Sequence, residues 1–449
     1  TGNNCIIICP EINKKMFPFT ETLSCLLPIG NKNTLSLILD KITKEEFNEI
    51  VIIGCADFGL ETIAEKYHVK FLEKKDNYID QLYSEINEVG NTLVIKGNLF
   101  ISEKDYCSII KNLKTGKSSI LVDKFDRYDK SNSEFCVNAE DNISSIYGHP
   151  REHYVNGKIL GAYIINSNNM NFLKKCNYGF HNVNCGQMPD SQYYIEEAIQ
   201  KAIESDCYFK SIWSDSKSTI VKFPWDISKA NDLFCMNMNS MNKNIFGKDF
   251  EIDKTCCLKG YLASGDNVKI SNNVIFEGNC KIGNNVILEK GVIIGKNVII
   301  GDNTTIQYHT RISDNTVIGP NNKIGYNAEL KGVTFDGVCA VHGCEINGVI
   351  GKKVDIAAGV LMAILRFDDE LVTQRVDNKS YANMYTNNIF IGNYCRTGVG
   401  NIFLPGVKIG NRSCIGPGVL IDKDIAENTL IILNQSTVTK DWGSNRYGW

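Results

Sequence analysis

Cut into sixes from Val268, the sequence reads VKISNN, VIFEGN, CKIGNN, VILEKG, VIIGKN, VIIGDN, TTIQYH, TRISDN, TVIGPN, NKIGYN and AELKGV without an insertion. The third residue of each hexad is Ile270, Phe276, Ile282, Leu288, Ile294, Ile300, Ile306, Ile312, Ile318, Ile324 and Leu330. An α-helical period cannot place one bulky apolar side chain at every sixth position. The hexads close on Asn- and Gly-rich pairs, residue types that accept the positive φ of a tight corner. Each hexad is therefore expected to be a short strand plus a corner. Three make one triangular coil, and coils stack about 4.8 Å apart as parallel strands. The expected fold of this half is a left-handed parallel β-helix, one of the rare left-handed parallel crossovers. The pattern falters across 334–351, returns as VDIAAG, stops for the polar stretch 366–388, and resumes in phase as IFIGNY, CRTGVG, NIFLPG, VKIGNR, SCIGPG and VLIDKD. The interruption reads as a loop thrown out from the prism, where repeat scaffolds usually carry binding.

Before the repeats the pattern changes to short apolar runs alternating with amphipathic stretches. Runs at 5–9, 50–54, 92–95, 119–122 and 159–165 alternate with helical patterns at 35–42 and 195–203. That alternation predicts an α/β domain with a mostly parallel, Rossmann-like sheet. The expected boundaries are 1–232 for this domain, 233–263 for a linker, 264–432 for the β-helix with its loop at 366–388, and 433–449 for a tail. A chain of 449 residues is long enough for two or three cores. The net charge of -3 with mixed signs points away from nucleic acid. No apolar run approaches the length needed to cross about 30 Å of hydrocarbon, and no leader pattern opens the chain, so a cytoplasmic protein with no membrane partner is expected. The 17 cysteines are dispersed over a long chain without zinc-type spacing and read as reduced thiols.

Several phrases carry a family resemblance. MFPFTETLSCLLPIGNKNTL (16–35), LVIKGNLFISEKD (93–105), QYYIEEAIQKAI (192–203) and FPWDISKAN (223–231) resemble segments of sugar-1-phosphate nucleotidylyltransferases. AILRFDDELV (363–372) and FIGNYCRTGVGNIFLPGVKIG (390–410) resemble the acyltransferase half of bifunctional sugar-1-phosphate nucleotidylyltransferase/acetyltransferases. The resemblance implies nucleotide and sugar-phosphate substrates, Mg²⁺ in the first half, acetyl-CoA in the second, and a homotrimer built through the prisms.

Carried over residue by residue, the resemblance makes Lys14 and Lys15 nucleotide-binding cations in the loop PEINKKM. It places Asn98 where the family has a metal-binding aspartate, leaves Asp215 and Asp226 as alternatives for the second carboxylate, and makes Gly161 and Gln192 sugar contacts. His342 becomes the candidate general base toward a sugar amine, and Arg412, Lys440 and Arg446 the cations for acyl-CoA phosphates. Three departures stand out. Glu11 occupies a position where the family's loop has glycine, so a negative charge faces the phosphates. Asn98 lacks the charged oxygen that Mg²⁺ relies on. The segment that carries the family's acyltransferase histidine is missing around His342. Two readings follow: an enzyme of this type with reduced or altered activity, or a non-catalytic trimeric protein that binds sugar nucleotides or acts as a scaffold.

Overall fold

The computed structural model describes residues 2–85, 90–129, 135–148, 150–174 and 194–447. The first half runs β1 (Asn3–Ile8), α1 (Thr34–Ile42), β2 (Phe47–Gly54), α2 (Leu60–Tyr67), β3 (Lys70–Glu73), α3 (Tyr78–Ser84), β4 (Thr92–Lys96), β5 (Leu99–Phe100) and α4 (Glu103–Thr115). It continues with β6 (Ser119–Asp123), β7 (Cys136–Ala139), β8 (Ile143–Tyr147), β9 (Gly157–Ile165), α5 (Ser167–Leu173), α6 (Ile195–Glu204), β10 (Lys210–Trp213), β11 (Thr219–Ile220) and α7 (Pro224–Met236). The main sheet has the order β10-β6-β9-β4-β1-β2-β3. Along this path the strands are parallel except β9, which runs antiparallel between β4 and β6, and the hairpin β7–β8 joins the sheet through β9. Alternate residues serve opposite faces: Ile6 and Val94 join one core, Cys5, Ile7, Leu93 and Ile95 the other. A sheet covered on both faces explains why its strands read as unbroken apolar runs. The carboxyl ends of β1 and β4 then open side by side, where α/β sheets place ligands.

In the second half the hexads stack as expected. Ile270, Leu288, Ile306 and Ile324 lie in register from coil to coil, as do Phe276, Ile294, Ile312 and Leu330, and the interior is continuous. The corners hold Asn267, Asn285, Asn303 and Asn321 at φ between 55° and 56°. Their amides form a vertical ladder at 2.9–3.2 Å, each residue 18 positions below the next. Asn is favoured over other L-residues here because its short amide tolerates the left-handed region and bonds along the stack. The faltering stretch is two tightened coils. Glu329 pairs with Glu345 and Cys339 with Asp355, a step of 16. Gly332 and Gly348 (φ 131° and 155°) carry continuous strands through the corner, and a Cβ on Gly332 would lie 2.0 Å from the carbonyl oxygen of Gly348.

The prism starts earlier than 264. Glu251–Ile252 already pairs with Lys269–Ile270, and Cys257–Leu258 with Ile275–Phe276, inside the segment expected as linker. Ser264 interrupts the run of bulky third positions, while Phe250, Cys256 and Leu262 turn inward from first positions. α7 also runs past 232 to Met236.

One outward column of the prism is apolar. Ile299, Val317, Val333, Val349 and Phe390 stack directly upon one another. With Phe335 they form a single core with Met16, Phe19, Phe223, Trp225 and Ile227 of the α/β half. Phe19 meets Phe335 at 5.1 Å between ring centroids. The two halves are therefore joined through an apolar interface rather than by a linker alone.

Candidate functional site

The loop after β1 turns through a short 3-10 helix, Lys14–Met16, capped by the Asn13 side chain, which accepts from the Lys15 N–H at 2.8 Å. Lys14 is exposed and Lys15 half-buried. Glu11 does not face this loop unopposed, because Lys74 at the end of β3 pairs with it at 3.2 Å. The Lys74 ammonium also lies 4.7 Å from the Tyr78 ring.

Asn98 follows β4 and is buried. Its side-chain amide donates to the Val221 carbonyl at 2.8 Å, while its backbone carbonyl accepts from Val221 N–H at 2.9 Å. The side chain ties β5 to β11. Asp226 grips the neighbouring backbone: one carboxylate oxygen accepts from Lys222 and Phe223 N–H, both at 2.9 Å. Asp226 thus sits in the first turn of α7 and reaches back to its start, one residue type and place that suits a helix N-terminus. Burial pushes its carboxyl up to about 6, with the two N–H groups opposing that rise. Asp215 belongs to a different cluster. It accepts from Ser102 Oγ at 2.9 Å and Lys217 N–H at 3.0 Å, and its own N–H bonds to the buried Asp105. Asp105 also takes the hydroxyls of Ser214 and Ser218. Both candidate metal carboxylates are thus engaged as backbone clamps, and no group of three or more acidic, His or Cys side chains able to hold a metal occurs among the described residues. At the strand end itself Asn98 offers Mg²⁺ no charged oxygen.

Gly161, in β9, adopts φ 99°, which a side chain rarely accepts. A Cβ there would stand 2.8 Å from Lys96 Cδ. The space over Gly161 is therefore filled by the stem of Lys96. The Lys96 ammonium reaches the fully buried Glu196 of α6 at 2.9 Å, and Tyr163 donates a short hydrogen bond to the same carboxylate oxygen. Lys96 holds the Glu196 carboxyl below its usual range even though burial pushes it upward. Gln192 lies outside the described residues. Sequence reasoning missed the Lys96–Glu196–Tyr163 group; a lysine at the end of a buried strand was its visible signal.

The loop 366–388 is anchored at its base. Gln374, buried, donates to the carbonyls of Thr386 and Gly406 at 3.1 and 2.8 Å, and Asn387 donates to Ile364 at 2.9 Å. A hairpin, Gln374–Val376 with Lys379–Tyr381, then folds onto the chain's own α/β domain. The Tyr381 ring is 4.4 Å from Phe223 and 6.0 Å from Trp225, and Asn388 donates to Ser228 Oγ at 3.1 Å. Asp232 and Tyr385 share a further hydrogen bond. The loop leaves the prism, as its polar sequence implies, and the aromatic side chains at its turn find α7 within reach. Between loop and domain lies a cleft of about 210 Å³, lined among others by Tyr128, Lys158, Asp226 and Lys229 on one side and Ser380 and Asn383 on the other.

At the prism's corners, His342 is exposed and makes an edge-on ring contact with Tyr326 at 5.2 Å. Among the described residues no carboxylate bonds to it. Arg412 forms a short ion pair with Glu21 of the α/β half and stands 5.4 Å from the Tyr394 ring. Lys440 and Arg446 lie exposed in the extended tail after the last coil. The structure therefore uses Arg412 to join the two halves.

These features define a two-part molecule, an α/β domain docked on a hexapeptide-repeat prism. The model of the bacterial transferase hexapeptide family (six repeats) matches residues 279–314 and 388–423. Over nearly its whole length the chain is similar to bifunctional sugar-1-phosphate nucleotidylyltransferase/acetyltransferases. It is 26% identical to the Bifunctional protein GlmU of Methanococcus vannielii, covering 97% of this chain and 99% of that protein. It is also 26% identical to a bifunctional sugar-1-phosphate nucleotidylyltransferase/acetyltransferase of Sulfurisphaera tokodaii, covering 93% and 97%. Among solved structures, the inositol-1-phosphate CTP transferase of T. maritima aligns over 53% of this chain and 97% of its own, at 12% identity and a TM-score of 0.40.

Proposed function

We propose that the chain is a sugar-1-phosphate nucleotidylyltransferase-like protein of sugar-nucleotide metabolism, with an acyltransferase-like half, that binds sugar phosphates or nucleotides and transfers nucleotidyl groups slowly or not at all. The observation that carries this is Asn98, whose amide is committed to Val221 at the strand end where a charged metal ligand would be needed. Two further cations at this sheet edge, Lys74 and Lys96, are already neutralised by Glu11 and Glu196. A thermal-shift screen with UTP, CTP, dTTP, nucleotide-sugars, sugar 1-phosphates and acetyl-CoA, with and without Mg²⁺, tests the reading. Binding raises the midpoint by mass action whether or not chemistry follows. Shifts that ignore Mg²⁺ are expected; shifts that demand it would contradict the reading.

The second reading, a non-catalytic binding or scaffold protein, draws on His342, which has an exposed ring and no orienting acid among the described residues. We also propose a cytoplasmic homotrimer. No described helix is long and apolar enough to cross a membrane. A second outward column, Leu361, Ile402 and Leu420, stacks in register yet stays 47%, 38% and 51% exposed. Light scattering should give three times 50.2 kDa; a monomer at micromolar concentration would overturn the trimer.

A further inference from the structure

We propose that the cleft between the loop 366–388 and the α/β domain is a binding site for one hydroxyl-rich ring, a neutral or singly charged hexose, with one wall supplied by the β-helix half. The class of ligand rests on the sugar-binding reading above; the site and its two-domain construction do not. The loop is a built wall. Buried Gln374 and Thr386 fix its base, and Tyr381 locks its tip against Phe223 and Trp225. Ser380 and Asn383 of this wall thereby line the cleft together with Asp226 and Lys229 of the α/β domain.

The size and charge of the cleft select the ligand. Its volume of about 210 Å³ is below the roughly 300–1,000 Å³ typical of sites for larger ligands and suits a single ring. Asp126, Asp129 and Asp226 line it together with Lys158, Lys222 and Lys229, acid for base. Asp129 and Lys158 pair at 2.5 Å. A lining without a positive surplus does not attract a polyphosphate, whereas carboxylates, ammonium groups and hydroxyls beside aromatic rings suit sugar hydroxyls and ring faces. The place over Gly161, filled by Lys96, does not offer that surface.

The test is titration of the full chain with glucose, N-acetylglucosamine and glucose 1-phosphate, followed by calorimetry and ligand-observed NMR. Ser380→Trp and Ala382→Trp fill the cleft from the loop side, and Arg311→Ala on an exposed prism strand is the control. Each variant's melting midpoint is read first, and the less perturbed of the two tryptophan variants decides. Saturable sugar binding that falls by at least about tenfold in that variant, and not in the control, is the expected result. Sugar or sugar-phosphate binding untouched by both fillings would overturn this inference and leave the sugar-binding reading standing. No binding of any of the three probes would overturn both.

Discussion

Lys96 and Glu196 change what the end of β4 offers a ligand. With the ammonium 32% exposed and the carboxylate 1%, removing the lysine strands a buried charge. Lys96→Ala should therefore destabilise the fold by about 3 kcal/mol, read from denaturant midpoints, and Lys96→Ala with Glu196→Gln should recover part of that loss. Asp226 gives a pH signature of opposite origin. Its carboxyl is raised from 3.8 to about 6, so its contribution is fully present below about pH 4, where it is protonated in both states, and is lost as pH rises through 6. Because the residue is partly exposed, the loss is a fraction of the roughly 3 kcal/mol that two units represent. Asp226→Asn keeps an acceptor for the two N–H groups, so the gap between wild type and variant should close as pH is lowered from 7 to 4. At this scale the sequence was least legible. The resemblance made Gly161 a sugar contact, but which side chain its missing Cβ admits is settled only by the pairing of β9 with β4, and Arg412 was read as a phosphate cation because Glu21 is remote in sequence.

At the scale of elements the repeats announced themselves, since inward side chains and corner residues both recur every six positions. Asn303 carries both properties of a corner, a φ of 56° and amide bonds to Asn285 and Asn321. Asn303→Ala should cost about 1–2 kcal/mol from the left-handed backbone and lost bonds, whereas Asn303→Gly should recover the backbone share; thermal midpoints of the two variants separate the terms. The tightened coils around Gly332 and Gly348 escaped the hexad count because a strand carried through a corner drops residues and breaks the phase without breaking the stack. The coils before 264 were hidden for the related reason that Ser264 occupies a third position. The loop was recognised as leaving the prism, but its destination depends on Tyr381 meeting Phe223 and Trp225, a contact between segments far apart in the chain.

For the whole molecule, the decisive pattern was in the sequence at a spacing that the hexads imply. Second positions Ile299 and Val317 are apolar, as are Ile275, Ile287 and Ile293 on other faces, but only Ile299 and Val317 continue coil on coil into Val333, Val349 and Phe390, the surface that receives the α/β half. Phe390, fully buried in that column, should cost about 3–5 kcal/mol when cut to Ala, and the two halves, which share this core, should then unfold in separate transitions by calorimetry. Docked this way, the molecule is an α/β domain on a hexapeptide-repeat prism, and its strand-end residues are bound to one another. The most direct measurement is pyrophosphate release by the intact chain across the four NTPs and several sugar 1-phosphates, with Mg²⁺ and with Mn²⁺. Turnover absent or far below 1 per second, and not restored by Asn98→Asp alone, is the expected result; turnover at an ordinary enzymatic rate, on the order of 1 per second or more, would contradict it.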